Sequence, residues 1–446
     1  MGGLRVMELW RAAGGPAFAL YLVAVATSLF RVADQPAVDL ELGATEASLV
    51  PTDLVFAALA AVAVAELVRG RITPGPTRRL LLAAAAFAAW IGLTALPNGG
   101  VAIVAAGRLL ELGVLALATA VLVRRMEHLR LLVATLLVMT LAAVAVALVG
   151  FAAELGERQT SFMGAHDLAA LASMMLAVGL AQVFASRRVD SVVGVTVVVG
   201  AVGVVLGAAL ASLLGVYLLS GVLIAVAAVR GSLRMRAVVI TALALAFTTA
   251  GTLSIRSGDL GFLRVLAQQE EEVPGEFASS WSQRLIYAYV GLRVFQDNPV
   301  AGTGWYPLLP PNEFAEYVPA ARERFDNQPA HYFPPVDSTY TPQQTPDQVL
   351  YELGLIGLGL LVLLGVVVAR TAWRTATAWP RAPDDAAAYL PAAWAASLLG
   401  VIAGAALYGG TAIAAIFWLT IGTVAAVPML MPRTNADDLR PAGAAR

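Results

Sequence analysis

The chain has 446 residues, of which 59% are hydrophobic and only 13% charged, whereas a soluble globular chain carries roughly 25% charged residues. Repeated apolar runs of about 20 residues, the length that crosses a bilayer, exclude a set of soluble domains. The lack of cysteine excludes disulfides and thiolate metal sites, and the net charge of −1 by itself says nothing of nucleic acid, for which no role is expected.

The fold class that follows is an all-α polytopic membrane protein with about 12 transmembrane helices. Arg5 and Arg11 precede the first apolar run as in a signal peptide, but more apolar helices follow, so that run reads as an uncleaved span. Spans are expected near 16–30, 50–68, 80–97, 101–123, 131–152, 167–185, 191–206, 209–229, 237–255, 347–369, 388–408 and 411–431. Val192 to Val229 is too long for one crossing and too apolar for a loop, so a hairpin is placed near Gly207. In the fourth span Arg108 and Glu111 share a helical face, which predicts an ion pair. His128, in an arginine-bearing loop, reads as solvated.

All the basic residues are arginine, and 20 of the 29 fall in the even-numbered loops and the two termini. That excess marks the cytoplasmic side. Residues 1–255 then carry spans 1–9, and residues 256–346 form one large extracytoplasmic loop with short helices. Residues 347–431 carry spans 10–12, and 432–446 is a cytoplasmic tail. The nine remaining arginines, at positions 31, 108, 158, 256, 264, 284, 293, 322 and 324, face outward against the insertion bias.

The large loop has structure of its own. Ser280 is placed to cap a helix from Trp281 to about Gln296, and Trp281, Tyr287 and Tyr289 suit the water–lipid boundary. Pro299, Gly302 and Gly304 end that helix in a tight turn. A long loop that carries its own helix and aromatic residues is more often functional than a linker.

No P-loop, nucleophile elbow or dinucleotide fingerprint occurs. The outward histidines, His166 and His331, lack metal-ligand spacing, so no metal or other cofactor is expected. What remains is guanidinium chemistry near the membrane edge, at Arg158, Arg284 and Arg293. Arginine forks bind phosphate oxygens in pairs and stay charged. Arg284 and Arg293 are nine residues apart and face opposite ways on one helix, and Arg284, sharing its face with Trp281 and Ala288, is favoured. Headgroup anchoring of a surface helix is the competing reading.

Three stretches now matter together: Arg158 to Ala169, Arg284 followed by Phe295-Gln296-Asp297-Asn298-Pro299-Val300-Ala301-Gly302-Thr303-Gly304, and Glu352-Leu353-Gly354-Leu355-Ile356-Gly357. With the topology, they resemble the bacterial O-antigen ligase and polymerase superfamily. The resemblance implies transfer of a glycan from a polyprenyl-pyrophosphate carrier to a glycan or lipid acceptor hydroxyl, at the outer face of the cytoplasmic membrane and without a metal. It implies catalytic roles for Arg284, Arg158 and His331. Substrate contacts are expected from His166, Asp167, Arg293, Trp281, Tyr287, Gln343, Gln344 and Glu352.

Two departures stand out. The usual histidine is replaced by Gln343, with Gln344 following it, and glutamine cannot serve as a general base. The arginine usual at the outer end of the helical hairpin is missing from Leu206 to Ser212. Either His331 takes over as base, or the reaction runs without it. Two other readings stay open: a polyprenyl-phosphate-sugar glycosyltransferase using Asp34, Asp39 and Glu41 in an acidic first outer loop, and a non-catalytic transporter or scaffold of envelope assembly.

Overall fold

The structure, a computed structural model, describes residues 15–31, 35–42, 45–70, 76–154, 156–186, 189–257, 278–307, 311–334, 342–380 and 386–431. Before the large loop run α1 (Pro16–Thr27), α2 (Pro51–Val68), α3 (Pro76–Ala95), α4 (Gly99–Leu122), α5 (Met126–Ala153), α6 (Ala165–Ala185), α7 (Ser191–Gly207), α8 (Leu210–Val229) and α9 (Met235–Ile255). The loop carries α10 (Ala278–Asp297), α11 (Pro311–Ala315) and α12 (Val318–Arg324). A helical turn, Thr345–Gln348, and a π-helical turn, Val349–Leu353, lead into α13 (Gly354–Ala378), followed by α14 (Ala386–Ile402) and α15 (Ala412–Ala426).

Among the described residues, eight helical stretches are long and apolar enough to cross a membrane, one of them the 46-residue run Thr77–Leu122 that bends into α3 and α4, and three more apolar helices, α1, α7 and α14, are shorter. The hairpin expected near Gly207 is present: α7 ends there, Ala208 adopts a left-handed conformation (φ 41°), and α8 starts at Leu210.

The centre of the bundle is α6, 89% of which is buried, with α15 at 83%; α2 and α9, at 22% each, lie at the periphery. Small residues permit this close packing, since apolar side chains gain little from leaving lipid for protein. On α7, a Cβ at Gly200 would stand 2.6 Å from the Leu176 amide of α6, and one at Gly203 would stand 2.6 Å from Ala172 Cβ.

Polar contacts sort by helix end. At one end Arg124 pairs with Glu66, Arg230 donates to the Ala376 carbonyl (2.6 Å), and Arg236 donates to that of Ser186 (3.1 Å). At the other end Gln159 N–H meets the Leu206 carbonyl (2.9 Å), Asn98 donates to the Thr303 carbonyl (3.1 Å), and Thr345 bonds that of Ala405. The arginine-rich loops therefore share one end of the bundle.

In the first outer loop β1 (Val38–Leu42) and β2 (Thr45–Leu49) form an antiparallel hairpin. Three expectations need correction. The loop helix α10 begins at Ala278, so Ser280 lies inside it rather than capping it. Arg108 forms its ion pair with Asp53 of α2, while Glu111 hydrogen-bonds Asp53 from the other side. The α2 backbone offers Asp53 at its first turn, and this carboxylate reaches Arg108 across the interface. His128 is buried, its ring stacked on Phe18 (centroids 4.3 Å) and its Nδ1 2.7 Å from the Leu122 carbonyl. The α4–α5 corner is tight enough to fold that ring inward.

The large loop builds a second, small core. Ile286, Val290 and Val294 recur on one face of α10 and pack on Phe314, Val318, Phe333 and Tyr351. This stripe explains why α10 lies down on the bundle: each fully buried side chain of this kind contributes about 1.5–3 kcal/mol.

Candidate active site

The segment before α6 carries Arg158 to the α7–α8 corner. Arg158 Nε donates to the Gly207 carbonyl (2.8 Å), while the Gln159 amide donates to that of Leu206 (2.9 Å). Gly207 lies against the first turn of α6, where a Cβ would stand 2.7 Å from the Ala165 oxygen. The corner left without its usual arginine is thus occupied from the opposite strand of chain, by Arg158.

His166 sits in that first turn, half-buried. The guanidiniums of Arg158, Arg284 and Arg256 all act on it electrostatically. Arg256 terminates α9, where its N–H meets the Thr252 carbonyl (2.9 Å), and Arg284 comes from the first half of α10. Residues nearly 130 positions apart in sequence thus converge at one helix N-terminus, whose partial positive charge adds to the field. Guanidiniums and a helix N-terminus both favour the oxygens of an anion.

Asp167, expected to contact substrate, is buried (7% exposed) and serves as a clamp. Its Oδ1 accepts from Ile413 N–H at 2.9 Å, and the amides of Ala412 and Gly164 also approach it, so one carboxylate caps α15 and steadies the start of α6. Arg31 lies within electrostatic reach.

The two glycine-rich stretches meet. Thr303 and Gly304 donate to the carbonyls of Tyr351 (3.0 Å) and Glu352 (2.9 Å), and Leu355 N–H reaches Pro299 (2.9 Å). Gly302 (φ 69°) and Gly354 (φ 63°) are left-handed, and their α-carbons face neighbouring backbone with no space for a side chain. Glu352, 1% exposed, is enclosed beneath this turn with Gln348 and the Tyr306 amide beside its carboxyl.

The other expected residues lie apart. Gln343 and Gln344 are half-exposed, and Gln344 opens the helical turn, its carbonyl taking the Gln348 amide (2.9 Å). Beside them Tyr408 donates to the Pro342 carbonyl (2.6 Å), and burial pushes its hydroxyl pKa up. Arg293 is exposed and engaged with Gln296 (3.2 Å) and the Tyr289 ring. Tyr287 is half-buried, which raises its pKa against the opposing hydrogen bond from Gln283. The Trp281 side chain lies outside the described residues. His331 is exposed, its ring edge-on to Tyr332 (centroids 4.4 Å), and no described contact joins it to Arg158, Arg284 or His166.

In the first outer loop, Asp39 accepts from Ser48 (2.8 Å) on the exposed hairpin. Asp34 and the Glu41 side chain lie outside the described residues. Among the described residues no three His, Asp or Glu side chains form a metal-binding group.

Sequence reasoning did not single out Arg256 or Arg31 as site residues. Both stand among the nine outward arginines, and that signal already contained them.

Residues 195–362 match the family described as O-antigen ligase. The matched stretch contains Arg256, Arg284 and the docked glycine turns, and Arg158 and His166 precede it. The family implies ligase- or polymerase-type glycan transfer in a membrane. No curated protein matches the chain.

Proposed function

We propose, on the premise that the chain belongs to the O-antigen ligase superfamily, that it transfers or polymerises a glycan carried on a polyprenyl pyrophosphate, at the outer face of the cytoplasmic membrane. Both termini are then cytoplasmic, with twelve helices crossing and the 256–346 loop outside, as the arginine distribution requires. The observation that carries the reading is the convergence of Arg158, Arg256 and Arg284 on His166.

The acceptor hydroxyl attacks the anomeric carbon, the bond from that carbon to the phosphate oxygen breaks, and the pyrophosphate leaves with the electron pair. Guanidiniums placed in advance stabilise the charge as it develops on the leaving oxygen. The acceptor proton needs a base, and His166 rather than His331 is the imidazole within electrostatic reach of the guanidiniums. An apolar groove of about 1100 Å³ between helices, along α3, offers space for a polyprenyl chain.

The test is glycan transfer in proteoliposomes from a polyprenyl-pyrophosphate-linked donor. Arg284→Ala and Arg158→Ala are expected to abolish it at unchanged expression. Normal transfer by both variants would overturn the reading.

A further inference from the structure

At the end of the bundle opposite this site lies a cavity of about 290 Å³ between α3 and α13. Its wall on α13 is a continuous helical stripe, Val367, Arg370, Thr371, Arg374, Thr375 and Ala378, and Arg79 closes it from the first turn of α3. Three guanidiniums therefore surround one small space. Arg370 and Arg374, four residues apart, repel each other on the same face. None of the three side chains has an ion-pair or hydrogen-bond partner among the described residues, in contrast to Arg69, Arg124 and Arg230 at the same end of the bundle. Thr371 and Thr375 are buried at the base.

The pocket is also placed at the right depth. Arg370 lies 16 residues beyond Gly354, about 24 Å along the axis at ~1.5 Å per residue, against a hydrocarbon core of about 30 Å. Its guanidinium stands near the level where lipid phosphates begin. From Arg370 an apolar groove of about 810 Å³ runs back along α13 past Val366, Val362 and Leu358. A cationic cup joined to an apolar channel, with Arg370 lining both, has the outline of an amphiphile with an anionic head.

We propose that this pocket seats the phosphate of an anionic membrane phospholipid, with an acyl chain lying in the groove along α13. Basic pockets between helices at a cytoplasmic face bind such headgroups through charge and hydrogen bonds together. The inference does not depend on the glycan-transfer reading, since the two sites lie at opposite ends of the helices.

The experiment uses the full chain in non-ionic detergent, titrated with phosphatidylglycerol, phosphatidylcholine or inorganic phosphate and read by native mass spectrometry and melting temperature. Retention of phosphatidylglycerol over phosphatidylcholine is expected. Affinity should fall about fivefold for each guanidinium removed, and so by more than tenfold in the Arg370→Gln/Arg374→Gln double variant. Arg125→Gln/Arg236→Gln, which removes the same charge elsewhere at that end, should leave retention unchanged. Should the double variant fail to fold, Arg79→Gln probes the opposite wall with one substitution. Equal loss in the control pair, equal retention of phosphatidylcholine, or displacement of the lipid by inorganic phosphate at comparable concentration would each overturn the proposal.

Discussion

Replacing Gly302 with alanine tests whether the docked glycine turn positions α10, and with it Arg284. The added Cβ would stand 2.4 Å from the Glu352 carbonyl carbon, 2.5 Å from its oxygen and 2.7 Å from the Leu353 amide, all backbone atoms that cannot rotate away. Holding alanine at a φ of 69° costs about 1–2 kcal/mol, and forcing the overlap costs about 1–3 kcal/mol more. Relief by undocking sacrifices the bonds from Thr303, Gly304, Leu355 and Ile356 across the turn, at about 1 kcal/mol each. Either route costs about 2–5 kcal/mol, so amide exchange in residues 299–306 should accelerate at least about thirtyfold. Hydrogen exchange by mass spectrometry reads this directly, and transfer activity should fall as α10 loosens. Gly359→Ala on α13, where a Cβ meets nothing within 4 Å, should instead leave exchange unchanged or slower. Wild-type protection of residues 299–306 in Gly302→Ala would refute the account of the turn.

Arg256→Gln should lower kcat by about 10²–10³ with donor binding weakened, the range for removing one preorganised group from a developing anion, whereas Arg293→Gln should transfer normally; steady-state kinetics of the pair distinguishes them. His166→Ala should lose transfer and His331→Ala should retain it, and the reverse pattern would return the base to the large loop. Arg108→Gln strands Asp53 beside Glu111, so melting should report a loss of about 3–5 kcal/mol. Asp53→Asn added to Arg108→Gln should restore part of it, and a double variant no more stable than the single one would deny the pairing.

Much of the architecture was legible because apolar runs separated by arginine-bearing corners leave few alternatives in a bilayer. The break at Gly207 was readable for the same reason: the run from Val192 to Val229 exceeds one crossing. Arg284 was preferred to Arg293 by helical phase alone, and the structure leaves Arg293 exposed with Gln296. The pairing of Arg108 was not readable, because its spacing to Glu111 is local and Asp53 arrives from another helix. The burial of His128 was missed for a similar reason, since Phe18, which covers its ring, lies 110 residues earlier.

By itself, the sequence determined that this chain is a bundle of apolar helices, which ends of the helices carry the arginines, and which outward arginines lacked an insertion reason. All three follow from composition along one dimension, where hydrophobicity and charge act residue by residue. Only the tertiary structure decided that Arg158, Arg256 and Arg284 share His166, that Asp167 is spent on capping α15, and that Glu352 lies closed beneath a glycine turn. Those outcomes depend on which helix ends meet, and side-chain packing between distant segments sets that.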